Sequence, residues 1–232
     1  MSCYTIARYG HHCQGLKSRM SVSGLRIEHT MNNVVFIPGS PALIPELSPH
    51  DLPSRRLLDT AVELIAQLHQ QQPRAIHVVS SQDKRWYTAH AGSFRAWGAR
   101  QVQLGQGNFL GELISRYILQ AAGVPESDIV ECRSEIGEID ANALTIVVLD
   151  GSAGLTARAP LALLETAAQA NQWCQQVLRG QAEQVDAQKL VDAGVIEPQL
   201  WLDVAHHKPE KAELIDSDAS LGVGRYIAAW KV

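Results

Sequence analysis

The chain has 232 residues, enough for one large domain or two small ones, and its 46% hydrophobic and 19% charged residues are typical of a globular protein. A formal net charge of -4 without a basic run argues against nucleic acid as a partner. No apolar stretch reaches the roughly 18 residues that a membrane-spanning helix needs, so a membrane partner is not expected. The four cysteines form neither a C-x-x-C pair nor a recognisable disulfide framework, which favours a cytoplasmic setting.

The first 30 residues differ from the rest of the chain. They show no helical or strand periodicity, and they lack the continuous apolar core of a signal peptide. We therefore expect residues 1–30 to be a disordered or non-native extension, and residues 31–232 to form one domain. His11, His12 and Cys13 are metal-binding residue types, but no ordered scaffold is evident around them, so we expect no metal site there.

The first half of the domain predicts two buried strands joined by a helix. The apolar run Val34–Ile37 indicates the first strand, and residues 75–79 indicate the second. Apolar residues recur at helical spacing over residues 57–68, and Ser54 is placed to cap that helix. Residues 84–98 are expected to form a loop.

The second half predicts further strands and a helix-rich region. Helical spacing over residues 109–121 follows Asn108, a potential cap, and ends at Gly123. Residues 160–205 are expected to be mostly helical, with breaks at Gly180, Gly194 and Pro198. The expected strands are residues 102–104, 129–132, 144–149 and 226–230.

Strands that alternate with helices predict βαβ units and a mostly parallel central sheet. The strand runs are almost continuously apolar rather than alternating. This pattern is typical of strands covered by helices on both faces. The sequence therefore predicts an α/β fold with a mostly parallel central sheet and helices on both faces.

Small polar residues follow three of the predicted strands. They are Gly39 and Ser40, then Ser81, Gln82 and Asp83, and finally Asp150, Gly151 and Ser152. If these strands are parallel neighbours, their carboxyl ends meet at one crevice, the usual ligand position in open α/β sheets. The predicted pocket residues are Ser40, Ser81, Asp83, Asp150 and Ser152. The alternative is that these residues only form turns and cap the following helices.

Motifs for other chemistries are weak. The Gly222-x-Gly224 pair lacks the third glycine of a dinucleotide fingerprint, and neither a G-x-S-x-G elbow nor a P-loop is present. Among the histidines, His50 and His90 lie in loops that can reach a pocket, although a solvated loop histidine is the default interpretation. His77 lies within a strand and is expected to face a helix.

Four segments give the chain a resemblance to a known family. They are residues 34–47 (VVFIPGSPALIPEL), residues 91–94 (AGSF) followed by Trp97-Gly98, residues 149–153 (LDGSA) and residues 222–230 (GVGRYIAAW). Their order and spacing resemble the LigB-like family of class III extradiol ring-cleavage dioxygenases, and the last two segments resemble a bacterial group within it. The resemblance covers residues 31–232.

The resemblance implies an iron site that this sequence does not carry. Active members bind a non-haem Fe(II) through two histidines and a carboxylate and use a further histidine as acid/base. At the corresponding strand ends this chain has Gly39 or Ser40, the segment 81–83 and the segment 150–152. We therefore carry over no metal ligand and no catalytic residue, and we expect no cofactor.

Three functions are compatible with these residues. The first is a metal-free relative that binds a small molecule or a partner, with Asp83, Asp150 and Asp218 as acid/base groups or as oxygen ligands of Mg²⁺ or Mn²⁺. The second is an active Fe(II) dioxygenase, an oxidoreductase, with ligands supplied by His50, His90 or His206. The third is a non-catalytic member of an oligomer in which another chain brings the chemistry. Whether the protein is an enzyme, and whether it forms a homo-oligomer, stays open.

Overall fold

A computed structural model describes residues 32–181 and 183–232. The expectations for residues 1–30, including His11, His12 and Cys13, lie outside these ranges. The strands are β1 (Val34–Ile37), β2 (Ile76–Val79), β3 (Ser93–Phe94), β4 (Ala99–Gln103), β5 (Ile129–Arg133), β6 (Leu144–Val148), β7 (Lys211–Asp218) and β8 (Arg225–Lys231). The helices are α1 (Leu52–Gln71), α2 (Leu110–Ala121), α3 (Ala167–Leu178), α4 (Ala187–Asp192) and α5 (Pro198–His206).

Six strands form the central sheet in the order β5-β2-β6-β1-β8-β7. The first four are parallel to one another, whereas β8 runs antiparallel to both β1 and β7. A separate two-stranded hairpin consists of β3 and β4. The predicted α/β fold with a mostly parallel central sheet is therefore confirmed.

Helices cover the sheet on both faces, as the continuous apolar strands predicted. On β1, Val35 and Ile37 point to the layer that contains α1 and α2, and Val34 and Phe36 point to the layer of α3, α4 and α5. All four side chains are buried. Full burial of such a side chain stabilises the fold by roughly 1.5–3 kcal/mol. No helix within the described ranges is long and apolar enough to cross a bilayer.

The caps of the first two helices differ from our expectations. The N-cap of α1 is Asp51 rather than Ser54, and the Asp51 carboxylate accepts the Ser54 N–H at 3.4 Å. The helix begins earlier because Pro53 is tolerated in a first turn, where its missing N–H is not needed. At α2, Phe109 occupies the N-cap position without a side-chain hydrogen bond, and Asn108 donates its amide to the Thr88 carbonyl at 2.8 Å instead.

The region after β6 contains less helix than expected and one strand that was not predicted. Residues 155–166 are irregular, and Pro198 begins α5 instead of interrupting a helix. The missed strand is β7, whose side chains are mostly partly exposed and polar. Such a sequence lacks the apolar run of a buried strand, and it forms an edge strand because it pairs with β8.

Candidate functional site

The carboxyl ends of β2, β6 and β1 lie side by side, because these strands are adjacent and parallel. The loops that follow them open into a cavity of about 470 Å³. Ser40, Ser81 and Asp150, one residue from each strand end, line this cavity. Three of the five predicted pocket residues therefore lie together.

The walls of this cavity, called here the strand-end cavity, are mostly apolar. Its size is in the range of small-molecule sites in proteins. The apolar lining residues are Pro41, Trp86, Leu110, Val148, Ala153, Pro160, Ile196, Leu221 and Val223, and the lining residues with polar or charged side chains are Ser40, Ser81, Asp150, Arg158 and Glu197.

Asp150 is fixed at the end of the central strand β6. Its Oδ1 accepts the Gly39 N–H at 3.1 Å, and its backbone carbonyl accepts the Trp201 indole N–H at 2.8 Å. Oδ2 accepts no hydrogen bond from any residue in the described ranges. A Cβ atom on Gly39 would lie 3.1 Å from Oδ2, so a glycine at this position avoids a close contact with this oxygen.

The surroundings of Asp150 favour its protonated form. Burial raises the pKa of the Asp150 carboxyl to about 7, although the Gly39 hydrogen bond and the charge of Arg225 both act to lower it. A carboxyl with this pKa exists in both forms near neutral pH. It is therefore able to give or to take a proton, which is the property of an acid/base group.

Arg225 lies beside Asp150, to which it is joined by a single antiparallel bridge. Its fully buried guanidinium donates to the Ser54 hydroxyl and to the Asp218 carboxylate, and it lies 3.7 Å from Asp51. Burial alone would raise the pKa of Asp218, but the Arg225 hydrogen bond and those from Ser220 hold that pKa below its usual value. Asp218 does not line the strand-end cavity, contrary to our expectation, because it is paired with Arg225.

Asp83 lies outside the strand-end cavity. It lines a neighbouring cavity of about 330 Å³, which shares Ser81 and Glu197 with the first. The Asp83 carboxylate accepts the Arg85 backbone N–H at 2.9 Å and caps a short 3-10 helix, and it pairs with the Arg85 guanidinium at 3.3 Å. Asp83 therefore plays the capping role that we considered as the alternative.

Ser152 lines neither cavity. Its fully buried hydroxyl donates to the Ala193 carbonyl at 2.6 Å and accepts the Gly154 N–H at 3.1 Å. The first bond fastens the loop after β6 to the end of α4, and the second lies within that loop. The position after a strand end predicted a pocket residue, whereas the side chain points to a different loop.

The hydroxyls of Ser40 and Ser81 keep their donor capacity. Ser40 Oγ accepts the Ala42 N–H at 3.4 Å, and Ser81 Oγ accepts the Asp83 N–H at 3.3 Å. Each bond uses only an oxygen lone pair. The hydroxyl hydrogens can therefore be directed at a bound molecule.

The sequence did not point to Trp86, Arg158 and Glu197. The Trp86 indole N–H donates to Glu197 at 2.9 Å, and the Arg85 guanidinium lies 3.5 Å from the same carboxylate. The Trp86–Glu197 bond joins parts of the chain 111 positions apart. Local patterns do not reveal such a contact. The only sequence signal was Pro198, which marks a helix start and places Glu197 at its N-cap.

The residues at the strand ends do not fit the iron site that the family resemblance implies. To the strand-end cavity they supply two hydroxyls and one carboxylate, and no imidazole within the described ranges lines this cavity. His50, His90 and His206 are exposed. Nor do the described residues contain a group of three or more His, Cys, Asp or Glu side chains arranged to hold a metal ion. That the protein works without a cofactor stays a prediction.

Comparison with models of known protein families gives no match, and a search of curated proteins gives none either. The resemblance to LigB-like proteins therefore rests on the sequence segments alone.

Proposed function

We propose that this protein binds a small, largely apolar molecule in the strand-end cavity and holds its polar group on Asp150. The observation that carries the proposal is the Asp150 carboxyl, which has one oxygen that accepts no hydrogen bond from the described residues and which lies in a cavity with mostly apolar walls. Apolar walls favour the apolar part of a ligand through the hydrophobic effect, and a hydrogen bond to the Asp150 carboxyl fixes the orientation of that ligand.

The proposal includes a family relationship. We regard the chain as a metal-free LigB-like protein that has kept the strand-end crevice and lost the iron-binding histidines. The four ordered segments support this relationship, and the position of the cavity beyond parallel strands is consistent with it. No contact within the described ranges favours the Fe(II) dioxygenase or the non-catalytic oligomer member.

The expected ligand carries a hydrogen-bond donor. Ionised Asp150 is an acceptor only, and Oδ2 is the oxygen that is not engaged by Gly39. A hydrogen bond to a charged group contributes about 1.5–3 kcal/mol. A ligand with a donor should therefore bind at least about tenfold more tightly than a molecule of the same shape without one.

Indole and benzofuran provide a matched pair for this test, because they share a bicyclic shape and only indole has an N–H donor. Isothermal titration calorimetry at mildly alkaline pH should show tighter binding of indole. The preference should disappear in the D150N variant, whose amide oxygen takes the Gly39 N–H and leaves an NH₂ group towards the ligand. The matched control is D83N, which makes the same chemical change outside the strand-end cavity and should keep the preference. Equal affinity for both compounds in the unmodified protein, or no binding of either, would contradict the proposal.

A further inference from the structure

Asp150 combines three features that are needed for proton transfer. It lies in a mostly apolar cavity, it has one oxygen fixed by a backbone N–H, and its other oxygen accepts no hydrogen bond from the described residues. Proton transfer between oxygen or nitrogen atoms is fast in water and needs no such arrangement. Removal of a proton from carbon is slow, and a positioned base in an apolar site accelerates it.

We propose that Asp150 is a catalytic base that moves a proton on a carbon atom of the bound molecule, and that the substrate is a largely apolar ketone with an acidic C–H bond next to its carbonyl. This inference rests on the proposed binding function. The ionised carboxylate takes the proton, the C–H electron pair forms a carbon–carbon double bond, and the carbonyl becomes an enolate. Asp150 then returns the proton to the same carbon or to a conjugated one, so that the net reaction is tautomerisation or isomerisation and no oxidant is consumed.

The same cavity offers donors for the enolate oxygen. The Ser40 and Ser81 hydroxyls retain their donor capacity, and they line the cavity together with Asp150. The first turn of α2, which has no side-chain cap, contributes Leu110 and Gly111 to the lining. Donors that are already oriented towards developing negative charge stabilise a transition state.

The charged and titratable groups around Asp150 set its pH dependence. From β8 it faces Arg225 and Tyr226, and the cavity lining adds Arg158 from the loop after β6 and Glu197 from the start of α5. The Tyr226 hydroxyl donates to Asn171 at 2.5 Å, and burial raises its pKa well above the usual value, so it stays neutral. Arg225 is engaged by Asp218 and lies close to Asp51, which limits its effect on Asp150.

Nitrobenzisoxazole tests the base directly. A base removes its ring C–H proton, the N–O bond breaks, and a coloured cyanonitrophenolate forms without any cofactor. The protein should catalyse this elimination, with a rate that rises with pH through one ionisation at about 7. D150N should lower the rate about 100-fold or more, D83N should leave it unchanged, and indole should inhibit it competitively.

β-Tetralone tests the substrate class, because it is a bicyclic apolar ketone with acidic C–H bonds. In deuterated water, NMR should show that the protein accelerates hydrogen–deuterium exchange at the carbon next to the carbonyl. The D150N variant should not accelerate it. Circular dichroism and benzofuran binding establish that D150N is folded. If indole binds with its preference for Asp150 but neither reaction depends on Asp150, the proton-transfer inference is wrong and the binding function stands. If neither indole nor benzofuran binds, both proposals fail.

Discussion

The backbone N–H of Gly39 donates a hydrogen bond of 3.1 Å to the carboxylate of Asp150, a residue 111 positions away. This bond joins the carboxyl ends of the neighbouring strands β1 and β6. It also fixes one oxygen of Asp150, while the other accepts no hydrogen bond from the described residues. The orientation of the Asp150 carboxylate therefore depends on the backbone of a glycine.

Replacement of Gly39 by alanine should disturb both the Asp150 carboxylate and the fold. The added Cβ would lie 3.1 Å from Asp150 Oδ2 and 3.3 Å from Val148 Cγ1, so one of these neighbours must move. We expect indole affinity to fall about tenfold and the unfolding free energy to fall by about 1–3 kcal/mol. Calorimetry and urea unfolding measure the two effects. Indole affinity equal to that of the unmodified protein would show that Oδ2 does not accept the indole N–H.

Asp150 should make the folded state less stable as pH rises. Its pKa is raised from 3.8 to about 7 on folding, so the folded state binds more protons between these pH values and loses stability as pH rises towards 7. The D150N variant lacks this titration. Its stability relative to the unmodified protein should therefore increase from about pH 4 to about pH 7, by on the order of 4 kcal/mol at most. Urea unfolding across this pH range measures the difference. If the unfolding free energies of D150N and the unmodified protein change with pH in the same way, the raised pKa of Asp150 is wrong.

Asp218 should have the opposite pH dependence. Its pKa is lowered in the folded state, chiefly by the Arg225 hydrogen bond, so its stabilising effect is present above the unfolded pKa and is lost as pH falls through the folded pKa. At neutral pH, D218N weakens the pairing of a fully buried arginine and should cost about 3–5 kcal/mol of unfolding free energy, measured by urea unfolding.

A matched control for D218N lies on the same strand. Asp216 pairs at 2.9 Å with Arg56, whose side chain is 54% exposed, so D216N breaks a surface ion pair. It should cost less than about 1 kcal/mol. Similar losses of unfolding free energy in the two variants would mean that the Arg225 pair is not a buried structural interaction.

Ser152 and Ser40 should respond differently to replacement by alanine. Loss of the buried Ser152 hydroxyl leaves the Ala193 carbonyl and the Gly154 N–H without their partner, which should cost about 1–3 kcal/mol of unfolding free energy. Indole affinity should not change in that variant. S40A should change stability less and should slow β-tetralone exchange. A large loss of indole affinity in S152A would indicate that Ser152 contributes to the strand-end cavity after all.

The sequence predicted the part of the site that local patterns determine. The apolar runs identified β1, β2 and β6, and the small residues after them led to Ser40, Ser81 and Asp150. The same reasoning failed for Ser152, because position after a strand does not specify which loop a side chain contacts. It also failed for Asp83, whose carboxylate is used within its own turn.

Long-range contacts explain most of what was missed. Arg225 precedes an apolar run that predicts a closing strand, and nothing in its neighbourhood indicates a buried partner such as Ser54, 171 positions away. Strand β7 was missed because its polar sequence KAELIDSD becomes a strand only through pairing with β8. Glu197 reaches the cavity from the start of α5 and Arg158 from the irregular segment after β6, so local sequence patterns do not reveal either of them.

The most direct test of the central claim is a pH titration of the Asp150 carboxyl carbon by NMR, assigned with D150N, with and without indole. Asp150 should titrate at about 7 in the free protein. Indole should lower that pKa, because its N–H donor binds the ionised form more tightly, whereas benzofuran should not lower it. A carboxyl that titrates in the ordinary range and does not respond to indole would contradict the account.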